Sequence, residues 1–166
     1  GLAQGSLAMA AGPCIAIDAM GGDTGPATMI AGAARARRKD SALQFQFFGD
    51  ERQLREELSK HPGLSSATVI HTPESIDSSE KPSQAIRRAK TTSMGVAINA
   101  VKEGAAQAAV SGGNTRAMMA MAKLALRTMP GIDRPALTAL LPTLGEHDCV
   151  MLDLGANTEC DAQNLV

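Results

Sequence analysis

An alternation constrains this chain more than any other feature: short apolar runs of strand length are stopped by glycine or polar residues, and each is followed by a stretch with helical spacing. Cys14-Ile15-Ala16-Ile17-Asp18 halts at Gly21-Gly22. Pro26 then suits the first turn of a helix ending in Arg35, Arg37, Arg38 and Lys39, cations that complement its C-terminal dipole. Residues 44–48 read as a second strand, after which Asp50 can cap a helix with Leu54 and Leu58 four apart on one face. Residues 67–71 form a third strand, followed by a polar loop over 72–81. Pro82 opens a helix with Ala85, Ile86 and Ala89, and Ser93 can cap another through Val96, Ile98 and Val101 to Gly104. Residues 107–110 are the fourth strand, and Ser111-Gly112-Gly113 leads into a helix that Asn114 or Thr115 can cap and Pro130-Gly131 ends.

That helix is apolar almost all round (Met118, Met121, Leu124, Ala125, Met129), with Arg116, Lys123 and Arg127 on one narrow stripe, so it is expected to be mostly buried. Residues 136–141 and 149–154 read as two further strands joined by a hairpin turn at Gly145-Glu146-His147-Asp148. Strands alternating with helices predict an α/β fold of three layers, α-β-α, around a mostly parallel sheet, with the antiparallel hairpin added at one side. One domain accounts for 166 residues. Aromatics are only 2% of them, so the core must be built from Ala, Val, Ile, Leu and Met. Residues 1–8 are featureless and Met9 can serve as an initiator, so the domain is expected over 9–166, with 1–8 an expression remnant.

Several function classes are disfavoured. A net charge of −1 gives no basic field for nucleic acid or an anionic membrane, and the lack of aromatics removes stacking platforms. No apolar run approaches the roughly 20 residues that cross a bilayer. Cys14, Cys149 and Cys160 are too widely spaced for a metal motif or a disulfide framework, which suits reduced thiols in a cytoplasmic protein and no metal or cofactor.

In an open parallel sheet, ligands bind beyond the carboxyl ends of the strands. Four loops rich in Gly, Asn, Ser and Asp are expected there: residues 18–23, 71–81, 111–115 and 153–157. The stretch Ser111-Gly112-Gly113-Asn114-Thr115 is the most informative, because glycines let the backbone approach a ligand and the following helix points free amides and a partial positive charge at it. Spacing alone leaves two readings open, a phosphate cradle and an ordinary capped helix after a tight turn. No Walker motif and no full Gly-x-Gly-x-x-Gly supports a nucleotide.

Five segments carry a resemblance. Asp18-Ala19-Met20-Gly21-Gly22-Asp23 with Gly25-Pro26 resembles the opening motif of the PlsX-type phosphate acyltransferases of bacterial phospholipid synthesis. So do Lys81-Pro82-Ser83 with Ala85, Arg87, Lys90 and Ser93-Met94, then Val110 to Thr115, then Pro130-Gly131-Ile132-Asp133-Arg134-Pro135-Ala136, and Leu152-Asp153-Leu154-Gly155-Ala156-Asn157. The match runs in order from Ile15 to the end of the sequence. The resemblance implies a fold similar to that of phosphate acetyltransferases. It also implies a homodimer that moves a fatty acyl group from acyl carrier protein to inorganic phosphate, giving acyl phosphate for the glycerol-phosphate acyltransferase at the membrane. The location implied is cytoplasmic, with peripheral contact at the inner membrane face.

Direct attack by phosphate on a thioester needs a held nucleophile, donors for the oxyanion and charge relief for the thiolate. Ser111, Gly112, Gly113, Asn114 and Thr115 are expected to hold phosphate. Lys90 and Arg87 are the candidates for charge stabilisation, with solvated helix cations the alternative, and Asn157 is the candidate donor to the oxyanion. Asp18, Gly21, Gly22 and Asp23 form a supporting loop, with turn capping the alternative for the acids. His71 at a strand end and Cys160 read as structural, and the Met-rich helix as core rather than an acyl channel. The sequence departs from the family in length, reading as an N-terminal half, and at Arg116, where the family usually has Gly. Arg116 either meets phosphate or points along the polar stripe toward Lys123. Two other activities stay open: transfer between coenzyme A and phosphate, and an inactive dimerisation module.

Overall fold

A computed structural model of the chain describes residues 12–155. The elements are β1 (Cys14–Asp18), α1 (Pro26–Lys39), β2 (Gln44–Gly49), α2 (Glu51–Leu58), a 3-10 turn at Pro62–Leu64, β3 (Thr68–His71), α3 (Pro82–Arg87), α4 (Ser93–Lys102), β4 (Ala108–Ser111), α5 (Thr115–Leu126), β5 (Thr138–Leu141) and β6 (Cys149–Leu152).

The first four strands form a parallel sheet in the order β3-β2-β1-β4. The chain steps outward from β1 to β2 and β3, then returns to the far side of β1 for β4. The crevice between the carboxyl ends of β1 and β4 is therefore the point where strand order reverses, the position at which such sheets bind ligands. Register makes the two ends flush, because Asp18 pairs with Ser111 on one side and Phe48 on the other.

Alternation along the strands separates the two faces. Ile15, Ile17, Phe45, Phe47 and Val69 meet Ile30, Ala33 and Ala34 of α1 and Leu54 of α2. Ala16, Phe48 and Ile70 face the other way, onto Val96, Ala97, Ala100 and Val101 of α4. A further cluster, Ile76, Ala85, Met94, Ile98, Ala117 and Met121, joins α3, α4 and α5 on that side. The result is the expected three-layer α/β arrangement. Full burial of Ile30, Leu54 and Phe47 stabilises it by about 2–3 kcal/mol per side chain, and the buried Phe45, Phe47 and Phe48 correct the expectation of a core without aromatics.

Local signals explain the helix ends. Pro26 starts α1 after Gly25, whose φ of 66° only glycine adopts freely. The Asp50 carboxylate accepts from the Gln53 amide at 2.9 Å and caps α2. Ser93, expected to cap α4, is instead its first residue. Thr92 is the cap, accepting from the Gly95 amide, because the Ser93 hydroxyl is engaged elsewhere.

Three expectations are corrected. The hairpin does not extend the parallel sheet: β5 and β6 pair antiparallel as a separate two-stranded sheet, since neighbouring segments pair across a short loop at little entropic cost. The loop after β6 consequently does not follow a strand of the parallel sheet. The last long helix ends at Leu126, not at Pro130. Arg127 takes φ 65°, and the residue before a proline resists helical geometry in any case. Nor is α5 mostly buried, since only Ala117 and Met121 are buried while Leu124 and Leu126 are exposed. Every exposed large apolar side chain among the described residues is Val110, on edge strand β4, or lies between Leu124 and Leu154.

Candidate functional site

The switch point between β1 and β4 is tied by one carboxylate. Asp18, 2% exposed, accepts from the Ser93 hydroxyl at 2.6 Å through Oδ1 and from the Ser111 hydroxyl at 2.7 Å through Oδ2. The Ser111 Oγ in turn accepts from the Gly113 amide at 3.0 Å. Strands β1 and β4 and the first residue of α4 are thus joined by hydrogen bonds to a buried charge, the stronger class of such bonds. The glycines follow from this crowding. A Cβ on Gly21 would lie 2.6 Å from Asp18 Oδ2 and 2.8 Å from Ser111 Oγ, and one on Gly113 would lie 3.2 Å from the Gly21 Cα. Gly22, at φ 96°, sits against the Gly112 carbonyl. The two glycine loops therefore pack backbone to backbone.

The next layer is the N-terminus of α5. Asn114 caps it, its Oδ1 accepting from the Ala117 amide at 3.0 Å. Its Nδ2 donates to the carbonyls of Asp77 at 3.1 Å and Glu80 at 2.8 Å. The whole amide group of Asn114 is thereby used within the protein, holding the loop over 72–81 to the start of α5. The backbone amides of Thr115 and Arg116, the first two of the helix, find no acceptor among the described residues.

Arg88 holds the same loop from the other side. Its guanidinium donates to both Glu80 carboxylate oxygens at 3.0 and 2.8 Å, to Glu74 Oε2 at 2.9 Å and to the Ser75 carbonyl at 3.2 Å. Glu74 also accepts from the Thr91 hydroxyl at 3.1 Å, and its carbonyl accepts from the Ser93 amide at 3.0 Å. The bonds from Arg88, then from Thr91, hold the Glu74 carboxyl below its ordinary range, and Glu74 and Glu80 together raise Arg88. Asp77 is held low by the hydroxyl and then the amide of Ser79.

Between this loop and α5 lies a cleft of about 510 Å³, lined by Ser78, Ser79, Glu80, Lys81, Pro82, Gly113, Asn114, Thr115 and Arg116. It combines free helix amides, the Thr115 hydroxyl and two cations, Lys81 and Arg116, a donor set suited to an oxyanion. Arg116 also lines a neighbouring groove with Met119, Ala120 and Lys123, so it borders both features that the sequence offered it. Arg134 lines that groove too and pairs with Asp153 at 3.0 Å.

The candidates from the sequence divide accordingly. Gly113, Asn114 and Thr115 line the cleft, while Ser111 turns to Asp18, and Gly112 packs near Met29. Asp23 and Gly22 line a separate hollow beside Arg88. Lys90 lines a groove between α4 and α5 with Asn99, Glu103 and Met121, and Arg87 is exposed at the end of α3. Neither lines the cleft at α5. His71 accepts from the Glu51 amide through Nδ1 at 3.3 Å, a structural contact at the start of α2. Asn157 and Cys160 lie outside the described residues. Sequence reasoning missed Arg88, Glu80 and the Ser93 contact. A six-residue helix carries too little periodicity to tell Arg87 from Arg88, and three successive hydroxyl residues, Thr91, Thr92 and Ser93, at the start of α4 did not reveal which one Asp18 would take.

The comparisons with known proteins bear on the same segments. The family model described as fatty acid synthesis protein matches residues 14–166. A phosphate acyltransferase of Erythrobacter litoralis is 60% identical over 155 residues, covering 93% of this chain and 44% of that protein. Phosphate acyltransferases of Rhodospirillum centenum and Bradyrhizobium diazoefficiens are each 52% identical over 154 residues, covering 92% of this chain and 43% of theirs. The chain thus spans under half the length of these curated relatives. With a family model matched over residues 14–166 and identity of this extent, the chain belongs to the fatty acid synthesis protein family, whose curated members named here are phosphate acyltransferases.

Proposed function

We propose that the protein, at its native length, transfers a fatty acyl group from acyl carrier protein to inorganic phosphate and releases acyl phosphate. The observation that carries the reading is the cleft at the start of α5, where free amides, Thr115, Lys81 and Arg116 surround space for a small oxyanion beside the strand-order switch. A phosphate oxygen attacks the thioester carbonyl carbon, the carbon–sulfur bond breaks, and the thiolate leaves on the carrier. Thr115, with the free amides of the first helical turn, holds phosphate; Ser111, Gly112, Gly113 and Asn114 shape the cradle. Asp18, Gly21, Gly22 and Asp23 support it. Lys90 and Arg87 do not line the cleft, so in this reading they and Asn157 relieve charge on the thioester side rather than grip phosphate.

The same reading makes acyl carrier protein and a second copy of the chain the partners. It hands the product to a membrane glycerol-phosphate acyltransferase, and places the protein in the cytoplasm with peripheral membrane contact. No helix among the described residues is long and apolar enough to cross a membrane. The test supplies the native-length protein with palmitoyl-acyl carrier protein and phosphate and measures acyl phosphate, with acetyl-coenzyme A as the competing donor. Product from the carrier and none from coenzyme A is expected. The reverse pattern moves the assignment to coenzyme A chemistry, and no product from either refutes both.

A further inference from the structure

We infer that Arg88 is a positioning residue for the phosphate cleft: by gripping Glu80 it fixes the wall opposite α5 and cancels a carboxylate that would otherwise face the incoming anion. The inference rests on the proposed acyl transfer to phosphate. Glu80 is the hinge of the argument, because two elements hold it in different ways. Asn114 of the α5 cap takes its carbonyl at 2.8 Å, and Arg88, just past α3, takes both oxygens of its carboxylate at 3.0 and 2.8 Å. Glu80 lines the cleft with Thr115 and Arg116, and it also lines the hollow on the other side of the loop, where Arg88 stands. The loop is therefore a thin partition between the two spaces.

The side chain of Glu80 is only 11% exposed, so water screens its charge weakly, whereas Arg88 at 40% remains reachable by solvent. An unpaired carboxylate in this partition, itself little screened by water, would oppose an anion entering the cleft. The two-pronged bond to arginine removes that opposition and sets the position of the wall, with a planar fork that a lysine ammonium lacks. Arg88 does not line the cleft itself, so its influence passes through Glu80.

The test is steady-state kinetics of the native-length protein with varied phosphate at saturating acyl carrier protein thioester. Arg88→Ala is expected to raise KM for phosphate roughly tenfold, with kcat changed less than about threefold and KM for the thioester unchanged. Arg88→Lys, which keeps the charge and loses the fork, should raise it about threefold, whereas Glu80→Gln should lower it about twofold. Adding Glu80→Gln to Arg88→Ala should recover part of the loss. A pair with a purely structural role would respond differently, with Glu80→Gln raising the phosphate KM as much as the arginine variants. That outcome, or an unchanged phosphate KM in folded Arg88 variants, overturns the inference. If Arg88→Ala fails to fold by circular dichroism, the opposite signs expected of Arg88→Lys and Glu80→Gln still decide the matter. Failure of the wild-type protein to make acyl phosphate would instead refute the function on which the inference rests.

Discussion

Substitution of Asn114 separates two jobs that one side chain performs. Its Oδ1 caps α5 through the Ala117 amide, and its Nδ2 ties the loop over 72–81 by two bonds to backbone carbonyls. Loss of a side-chain N-cap costs about 1 kcal/mol, and each neutral hydrogen bond contributes about 1 kcal/mol net. Asn114→Ala removes all three interactions, so it should destabilise the protein by about 3 kcal/mol, a fall in Tm of about 6–12 °C for a domain of this size. Asn114→Ser keeps a good cap and loses only the tethers, so about 2 kcal/mol is expected. Urea unfolding followed by circular dichroism gives both values, provided the slope m stays constant. Hydrogen exchange should show faster exchange at the loop amides in both variants, and at the first turn of α5 only in Asn114→Ala. Equal destabilisation by Ser and Ala would refute the cap, and a wild-type-like Ser variant would refute the tethers.

Two further outcomes follow from the same region. Gly21→Ala forces a methyl against the Asp18 carboxylate and the Ser111 hydroxyl, so a loss of about 1–3 kcal/mol is expected in urea unfolding, whereas Gly32→Ala, with open space around its Cβ, should cost nothing. For pH, the folded Glu74 and Asp77 carboxyls lie below their ordinary range, so their stabilisation is present above the unfolded value of about 4 and disappears as pH falls through the lower folded values. The urea midpoint should therefore drop as pH falls below about 4, and drop less steeply in Arg88→Ala, which lacks the main cause of the Glu74 shift. An identical pH slope in wild type and variant would contradict that cause.

Much of the first half of the fold was legible because its signals are local. Pro26 after Gly25, Asp50 before a Leu54–Leu58 stripe, and Gly104 with φ 76° beyond α4 each specify a terminus through their own covalent geometry or one short hydrogen bond. What escaped depends on tertiary placement. Ser93 looked like a cap, but the buried Asp18 carboxylate claims its hydroxyl from 75 residues away, and the cap passes to Thr92. Arg127 enters the left-handed region with neither Gly nor Asn to announce it. The hairpin pairing of the last two strands was recognisable, but nothing in their pattern said whether the hairpin would also join the parallel sheet or stand apart from it. Pairing follows from edges that only the folded sheet displays.

The site was legible in composition and not in role. The sequence pointed to the glycine turn and to Asn114, and the structure does bring Gly113, Asn114 and Thr115 to a cleft. Yet the hydrogen-bonding capacity of Ser111 and Asn114 is committed to protein partners before any ligand arrives, Ser111 to Asp18 and Gly113, Asn114 to Ala117, Asp77 and Glu80. A group already bonded in the free protein can grip an anion only by giving up a bond of similar worth, so its contribution to affinity is small. Groups without acceptors among the described residues carry no such cost: the first amides of α5, the Thr115 hydroxyl and the cations Lys81 and Arg116. The polar residues of the motif thus divide into those that hold two glycine loops and one cleft wall at fixed separation, and those left exposed by that rigidity to meet the ligand. Such division is what electrostatic preorganisation requires, since donors held in place before the anion enters lose little in reorienting toward it.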